Sequence, residues 1–316
     1  MYLNEQDKLL REQGCPDTID SSMGSCLDEC PRRFYLNYLR NVRTKSEPDY
    51  FVSGRAWDDA LGAWHNNISM PAAERIALVF ACIDHTYDNC LCDFIAEGRS
   101  RDNIKKLFLL WVRQAAEAPY TVVASNVGFR FPYKDFFLGG ELDSYVDWEG
   151  KGVVVKENKT TMIIIKEGSS GYDNYVKGFT LGRYANQITQ YTWAVLQMVE
   201  DVHATCIDIA SLAIPKREST IRTQFSQIWR DIPLQSINDY LSLCEHRMAT
   251  LRACWEKWEW PKSGQHCTGG WGFSSCEYKW LCQMPVPLHL VEIPQNLYRI
   301  AGAWKPWDGE KGNTND

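Results

Sequence analysis

The 316-residue sequence has no run approaching the ~18–20 apolar residues that a membrane-spanning helix needs. It also lacks a basic surplus. Its 34 Lys and Arg stand against 40 Asp and Glu, a formal net charge of −6. That excludes a protein held to nucleic acid by bulk charge alone, while leaving room for a local basic groove. No internal repeat or low-complexity tract interrupts it. Neither a GxxxxGK[ST] phosphate loop nor a GxGxxG dinucleotide fingerprint occurs, which removes an ATP motor within this chain and leaves an iron–sulfur oxidoreductase without support. The opening residues MYLNEQDKLLREQG are charged and polar and do not read as a secretory signal. The expectation is a soluble cytoplasmic protein with no membrane partner.

What is present is ordinary globular composition, 45% hydrophobic and 23% charged. The unusual feature is 12 cysteines, many for a cytosolic protein and too few for a disulfide scaffold. Without an export signal they need another account.

Hydrophobic periodicity predicts a mobile segment over 1–21 and a helix from Ser25 to Arg40. Further helices are expected around 54–68, 72–96 and 101–118. From Tyr120 the texture becomes β: YTVVASNVGFRFPY, DFFLGGELDSYVDW and GVVVKENKTTMIII. A Gly/Ser-containing loop, KEGSSGYDNYVKG, precedes an amphipathic helix over 181–202. Two more strands (TCIDIASLAI, TIRTQFSQIW) lead to a helix from Pro233 to Trp258 and a loop-like, cysteine-bearing tail from Pro261. The layout is mixed α/β. It divides as a helical part 22–118, a β-rich core 119–232, a helix and cysteine-rich tail 233–285, and an extension 286–316.

The stretch 139–161, GGELDSYVDWEGKGVVVKENKTT, carries the chemistry. Two β runs flank a Glu149-Gly150-Lys151-Gly152 turn, a hairpin signal. Centred near Gly150, that turn places Asp143 opposite Glu157 with Cβ atoms about 5 Å apart. Glu157 and Lys159 share one face of their strand. Two facing carboxylates repel unless a cation lies between them. A hard divalent ion, Mg²⁺ or Mn²⁺, meets that need. Lys159 is placed to orient an attacking water or to stabilise charge developing on a phosphate. On spacing alone, a solvated hairpin face with a surface Glu–Lys pair is an equal alternative.

Asp143 followed by Glu157-Asn158-Lys159 resembles the D…(D/E)xK signature of the PD-(D/E)XK nucleases, more narrowly their RecB-like, Cas4-like and phage exonuclease branch. Residues 25–39, SCLDECPRRFYLNYL, resemble that branch's opening helix. Residues 54–61, GRAWDDAL, resemble its GxxxH helix, and Gln187-Ile188-Thr189-Gln190-Tyr191 matches QxxxY. The tail holds Cys267, Cys276 and Cys282. The motifs span residues 22–285 in family order. The resemblance implies a restriction-endonuclease-like mixed central sheet flanked by helices, with a helical N-terminal part and a cysteine-ligated C-terminal tail. It implies Asp143 and Glu157 as metal ligands, with the Asn158 carbonyl. Gln187 and Tyr191, on one helix face by their i, i+4 spacing, would lie near metals and nucleic-acid backbone. One position departs from the pattern. Asp58 stands where the branch has a metal-ligating His, so either Asp58 replaces it as an oxygen ligand or a second metal is weak or absent. His65, two turns on, reads as a half-buried surface histidine.

The resemblance also implies that Cys30 joins Cys267, Cys276 and Cys282 around a structural [4Fe–4S] cluster, with Zn²⁺ as alternative and His266 as a substitute ligand. Unligated thiols are the plain alternative. Cys206, Cys244 and Cys254 read as small buried apolar residues. Cys82, Cys90 and Cys92 fall on an expected helix, and Cys15 and Cys26 have no visible partner. Arg32, Arg33 and Arg183 are candidate substrate contacts, with Tyr184 and the basic stretches 99–106 and 216–222 behind them. Trp57, Trp64, Trp193, Trp271 and Trp280 sit near the motifs, where core packing is favoured over base stacking. The implied activity is a metal-dependent DNA exonuclease acting on single strands or DNA ends. Its setting is replication, recombination or repair, with partner proteins of those processes, in a bacterial or phage-infected cytoplasm. The alternative is a non-catalytic, cluster-stabilised nucleic-acid-binding protein on the same fold.

Overall fold

In the computed structural model, the described residues are 5–115, 117–163, 165–181, 183–213, 222–263, 267, 276–284, 293–303 and 305–308. They divide into two units. The first comprises Met1–Lys45, Arg130–Gly140 and Asn238–Asp316, and the second comprises Ser46–Phe129 and Glu141–Ile237. The chain passes between units within strands β3 (Tyr120–Tyr133) and β4 (Phe136–Trp148). Among the described residues no helix is long and apolar enough to cross a membrane.

The second unit is built on a sheet in which β4 pairs antiparallel with β5 (Gly152–Thr161). Strand β5 runs parallel to β6 (Ala204–Ala213), which pairs antiparallel with β7 (Arg222–Arg230). The β4–β5 register, Trp148↔Gly152 through Ser144↔Lys156, is the one that a turn centred at Gly150 demands. Gly150 (φ +73°) and Gly152 (φ +77°) both adopt left-handed backbone, and a Cβ on Gly152 would lie 2.7 Å from the His203 ring.

Strand β6 is covered on both faces, the pattern of a central strand. Ala210 and Leu212 join Val52, Trp57, Leu61, Ile83, Leu107 and Phe108 of α4 (Asp49–Asn66), α5 (Ala72–Asp88) and α6 (Arg101–Ala115). Ile207 and Ile209 pack instead with Ile165, with Phe179 of α7 (Ser170–Leu181) and with Ile188 of α8 (Arg183–Leu196). The result is a mixed sheet flanked by helices, as the sequence implies. Residues 170–178, read as loop, are helical. Tyr172, Tyr175, Val176 and Phe179 recur at i, i+3, i+4 and i+7, and that apolar stripe outweighs the glycines.

In the first unit, residues 21–39 fold as three pieces where one helix is expected. These are α2 (Ser21–Glu29), α3 (Pro31–Phe34) and a π-helical turn (Tyr35–Leu39). Cys30 between the first two is extended (φ −167°, ψ 109°), because the residue before a proline is forced out of the α region. The lead read as mobile contains α1 (Glu5–Gln13) and β1 (Thr18–Ile19). Asp7 of α1 is buried against Tyr35 and Arg40. β1 pairs in parallel with Phe137 and Leu138 of β4, and β2 (Val42–Thr44) pairs antiparallel with β8 (Tyr298–Ile300). The long helix α9 (Leu234–Lys257) brings Arg247 against Gly24, where an added Cβ would sit 2.7 Å from the guanidinium. Asp28 holds that buried guanidinium at 2.6 Å.

Candidate active site

Alternation along β5 sends Glu157 and Lys159 to one face and Lys156 and Asn158 to the other. The partners of Glu157 and Lys159 on β6 are Ile207 and Ile209, which pack under α7 and α8. The helix carrying Gln187 and Tyr191 therefore covers the face on which the acid and the lysine stand. Gln187 Nε2 donates to the Tyr191 hydroxyl at 3.0 Å, and Tyr191 meets Phe129 edge-on at 6.2 Å. The expected i, i+4 coupling of the pair is present.

Asp143 lies opposite, one step beyond the Ser144↔Lys156 pair. Its Oδ2 accepts from the Asn158 backbone N–H at 2.7 Å. Lys159 Nζ donates to Glu157 Oε1. Glu157 is only 1% exposed, and its other oxygen, Oε2, is buried with no hydrogen-bond partner.

The electrostatics follow from crowding. Burial, then the charge of Asp143, pushes the Glu157 carboxyl well above the usual range. Asp143 is likewise raised by burial, with Lys159 and the Asn158 N–H opposing. Asp58 of α4 is also raised, by burial and then by Asp143 and Glu157, with Lys159 again opposing. Asp58 is thus within electrostatic reach of both carboxylates. Burial works against the Lys159 charge, but Glu157, Asp143 and Asp58 together hold it above the ordinary lysine range.

Contacts between α4 and β3 hold Asp58 there. The Asp58 carbonyl accepts from Asn126 Nδ2 at 3.5 Å. Asn126 is left-handed (φ +51°), and its amide occupies the space that a side chain at Gly62 would take, 2.4 Å from a built Cβ.

Hard oxygen donors, one of them a buried oxygen without a partner, suit Mg²⁺ or Mn²⁺. Such ions use one or two protein carboxylates and complete their shell with water and substrate oxygens. Among the described residues no group of three or more His, Cys, Asp or Glu is gathered as a metal cage. The chemistry of Asp143 and Glu157 fits such an ion.

The other candidates are placed as follows. Arg33 is engaged by Glu29 at 2.7 Å and by Glu277 at 3.1 Å, and Arg32 Nε donates to the Trp260 carbonyl at 3.0 Å. Both have structural partners in the first unit. Arg183 opens α8, and its side chain lies outside the described residues. Tyr184 faces Lys159, 5.8 Å from ring centroid to Nζ. His65 meets Trp111 edge-on at 5.5 Å, and burial followed by Lys156 and Arg75 lowers its pKa to about 4. Trp57 and Trp193 are buried and Trp280 is exposed, while Trp271 and His266 lie outside the described residues.

In the first unit, the Cys282 thiol is raised by burial and feels Cys30 and Cys267. Burial pushes Cys276 up to about 11, and it feels Cys282. Among the described residues these cysteines are not gathered as a metal site. Cys30 Sγ instead points to the Pro261 carbonyl at 4.0 Å. Cys90 and Cys92 follow the end of α5 rather than riding on it.

Sequence reasoning missed Lys156. It is buried on the rear face of β5, paired with Asp208 at 2.6 Å and bonded to the Tyr120 hydroxyl at 2.9 Å. Its place next to Glu157 in an alternating strand was the available signal. Asn126 left none, since an isolated Asn in a strand does not announce a left-handed backbone.

No curated protein matches the sequence. Two solved structures resemble it at the level of backbone. One, SSO0001, is 12% identical, with 77% of this chain and 83% of that chain covered and a TM-score of 0.32. The other, from Eubacterium rectale, carries an inferred exonuclease name and is 9% identical. There 84% of this chain and 91% of that chain are covered, with a TM-score of 0.46. The pattern that characterises the PD-(D/E)XK nuclease superfamily matches residues 22–283. That match covers most of the sequence, and the chain belongs to the PD-(D/E)XK nuclease superfamily.

Proposed function

We propose that this chain is a metal-dependent deoxyribonuclease of the RecB-like, Cas4-like exonuclease branch, hydrolysing phosphodiester bonds at DNA ends or in single strands. The observation that carries this reading is the convergence of Asp143, Glu157 and Lys159, with Glu157 Oε2 buried there and without a donor. Asp143 and Glu157 would hold Mg²⁺ or Mn²⁺, with Asp58 and the Asn158 carbonyl beside them. When bound, the ion supplies Lewis acidity toward water and the phosphate oxygens. Lys159, kept charged by three carboxylates, orients the attacking water and opposes charge developing on the phosphate. The Asn158 N–H fixes the rotamer of Asp143. Gln187 and Tyr191, bonded to each other, present amide and hydroxyl groups from α8 toward the DNA backbone. DNA replication, recombination or repair in a cytoplasmic setting is the role that fits such chemistry.

Cys30, Cys267, Cys276 and Cys282 are proposed to hold a structural [4Fe–4S] cluster or Zn²⁺, a reading that rests on the sequence resemblance and on the influence of Cys30 and Cys267 on the Cys282 thiol. Iron, sulfide and zinc analysis of anaerobically purified protein decides between them.

The activity test uses end-labelled linear and circular single-stranded DNA with Mg²⁺ or Mn²⁺, beside a Glu157→Ala control. Metal-dependent loss of linear DNA, abolished in the variant, is the expected result. DNA binding without cleavage in the parent would favour the non-catalytic reading.

A further inference from the structure

Exposed aromatic side chains of the second unit gather at the start of α4. Tyr50 and Phe51 are 50% and 56% exposed, with ring centroids 4.6 Å apart. They are not stray core residues, because α4 already buries Val52, Ala56, Trp57, Ala60 and Leu61 on its inner face. The turn that carries them is held firmly. Leu91 N–H donates to Glu47 Oε1 at 3.0 Å, and Ala96 N–H donates to Asp49 Oδ2 at 3.2 Å. Those two bonds bring up a segment whose Phe94 is 76% exposed. Arg99 lies 5.8 Å from the Tyr50 ring and is fixed by Asp49 at 2.8 Å.

The cluster adjoins the chemistry. A Cβ on Gly54, one turn into α4, would lie 4.0 Å from Thr160 Oγ1, the residue after the catalytic lysine. Tyr175 of α7 is within electrostatic reach of both Lys159 and Arg99, and it hydrogen-bonds Thr161. Lys159 in turn stands over Tyr184. Aromatic rings thus stand at both ends of this region, Tyr184 beside the catalytic lysine and Tyr50 beside Arg99.

Such rings match the faces of unpaired bases, which a duplex keeps stacked on its own neighbours. With Asp49 on its guanidinium, Arg99 braces Tyr50 rather than acting as a free cation. Attraction at this end therefore rests on stacking more than on charge. We propose that Tyr50 and Phe51, braced by Arg99, form a stacking platform for unpaired bases of single-stranded DNA whose scissile phosphate lies at Asp143, Glu157 and Lys159. This deepens the nuclease reading above and rests on it.

The test compares Tyr50→Ala/Phe51→Ala with its parent in the full chain. Binding is read by fluorescence anisotropy in a Glu157→Ala background. The probes are a labelled oligothymidylate and an equally long strand with abasic spacers. The chemical step is read in the active protein with bis(p-nitrophenyl) phosphate, which has no base. We expect the double variant to lose at least about tenfold in oligothymidylate affinity. Affinity for the abasic strand and turnover of the small diester should stay unchanged, and Tyr50→Trp/Phe51→Trp should retain binding. Equal oligothymidylate affinity in variant and parent, an equal loss on the abasic strand, or no binding by the parent would each overturn the platform. A parent that binds oligothymidylate through these rings but hydrolyses neither DNA nor the small diester would overturn the nuclease reading alone.

Discussion

The Asn158 backbone N–H donates to Asp143 Oδ2 at 2.7 Å, so the strand bearing Glu157 and Lys159 is clamped to the carboxylate it faces. A slip of one residue in the β4–β5 register would turn Glu157 and Lys159 to the opposite face and break this bond. Register and active-site geometry are therefore one property of the hairpin. The two left-handed glycines of its turn, Gly150 and Gly152, set both.

Lys159 supplies the positive charge among three carboxylates. Lys159→Met should lower single-turnover hydrolysis of DNA by about 10²–10³-fold. DNA affinity, measured by anisotropy, should change by no more than a few fold, since one lysine is a small part of a backbone contact. Comparable losses in both would assign Lys159 to binding and not to chemistry.

The charges of Asp143 and Glu157 raise the cost of charging Asp58, and that of Asp143 raises the cost of charging Glu157. Asp58→Asn should raise the Mg²⁺ or Mn²⁺ concentration needed for half-maximal cleavage by about tenfold or more. Thermal stability in metal-free buffer should rise, because a buried repulsion is relieved. A metal titration and a melting curve on the same variant check both. A fall in stability with no change in metal requirement would make Asp58 structural.

The facing of Asp143 and Glu157 was legible because a hairpin's register follows from its turn, and the turn is symmetric about Gly150. The helices α4 and α6 were legible from apolar periodicity. Two misreadings have physical causes in view of the sequence. Pro31 breaks the helix expected over 25–40, and the apolar stripe Tyr172-Tyr175-Val176-Phe179 makes α7 in spite of two glycines within it, Gly171 and Gly178. The nearness of Asp58 to Asp143 was not legible from spacing. It depends on how α4 docks on β3, with Gly62 yielding space to the Asn126 amide, and only the family resemblance anticipated it.

Gly24 of α2 faces the guanidinium of Arg247, which is 2% exposed and held by two bonds from Asp28 Oδ2, at 2.6 and 2.9 Å. The guanidinium has nowhere to retreat without losing its acid. Gly24→Ala should therefore cost about 1–3 kcal/mol in chemical denaturation, by overpacking. In Gly24→Ala/Arg247→Met the clash is removed, and the cost of the alanine measured in that background should largely vanish. Additive losses would show that the glycine matters for helix backbone alone.

His65 is pushed down to about 4, first by burial and then by Lys156 and Arg75, against the weaker pull of Asp208. Its folded pKa thus lies below the unfolded value of about 6.5. Between those two values the unfolded chain binds a proton that the folded chain refuses, so stability is full above pH 6.5 and falls as the pH is lowered toward 4. The loss should reach about 2 kcal/mol, less than the full shift implies because the ring keeps some contact with water. Urea denaturation at pH 7 and pH 4.5 measures it. His65→Phe keeps the packing on Trp111 and has no proton to gain, so its stability should fall less over the same interval. An identical fall in the two proteins would move the acid sensitivity to other groups and leave His65 uninvolved.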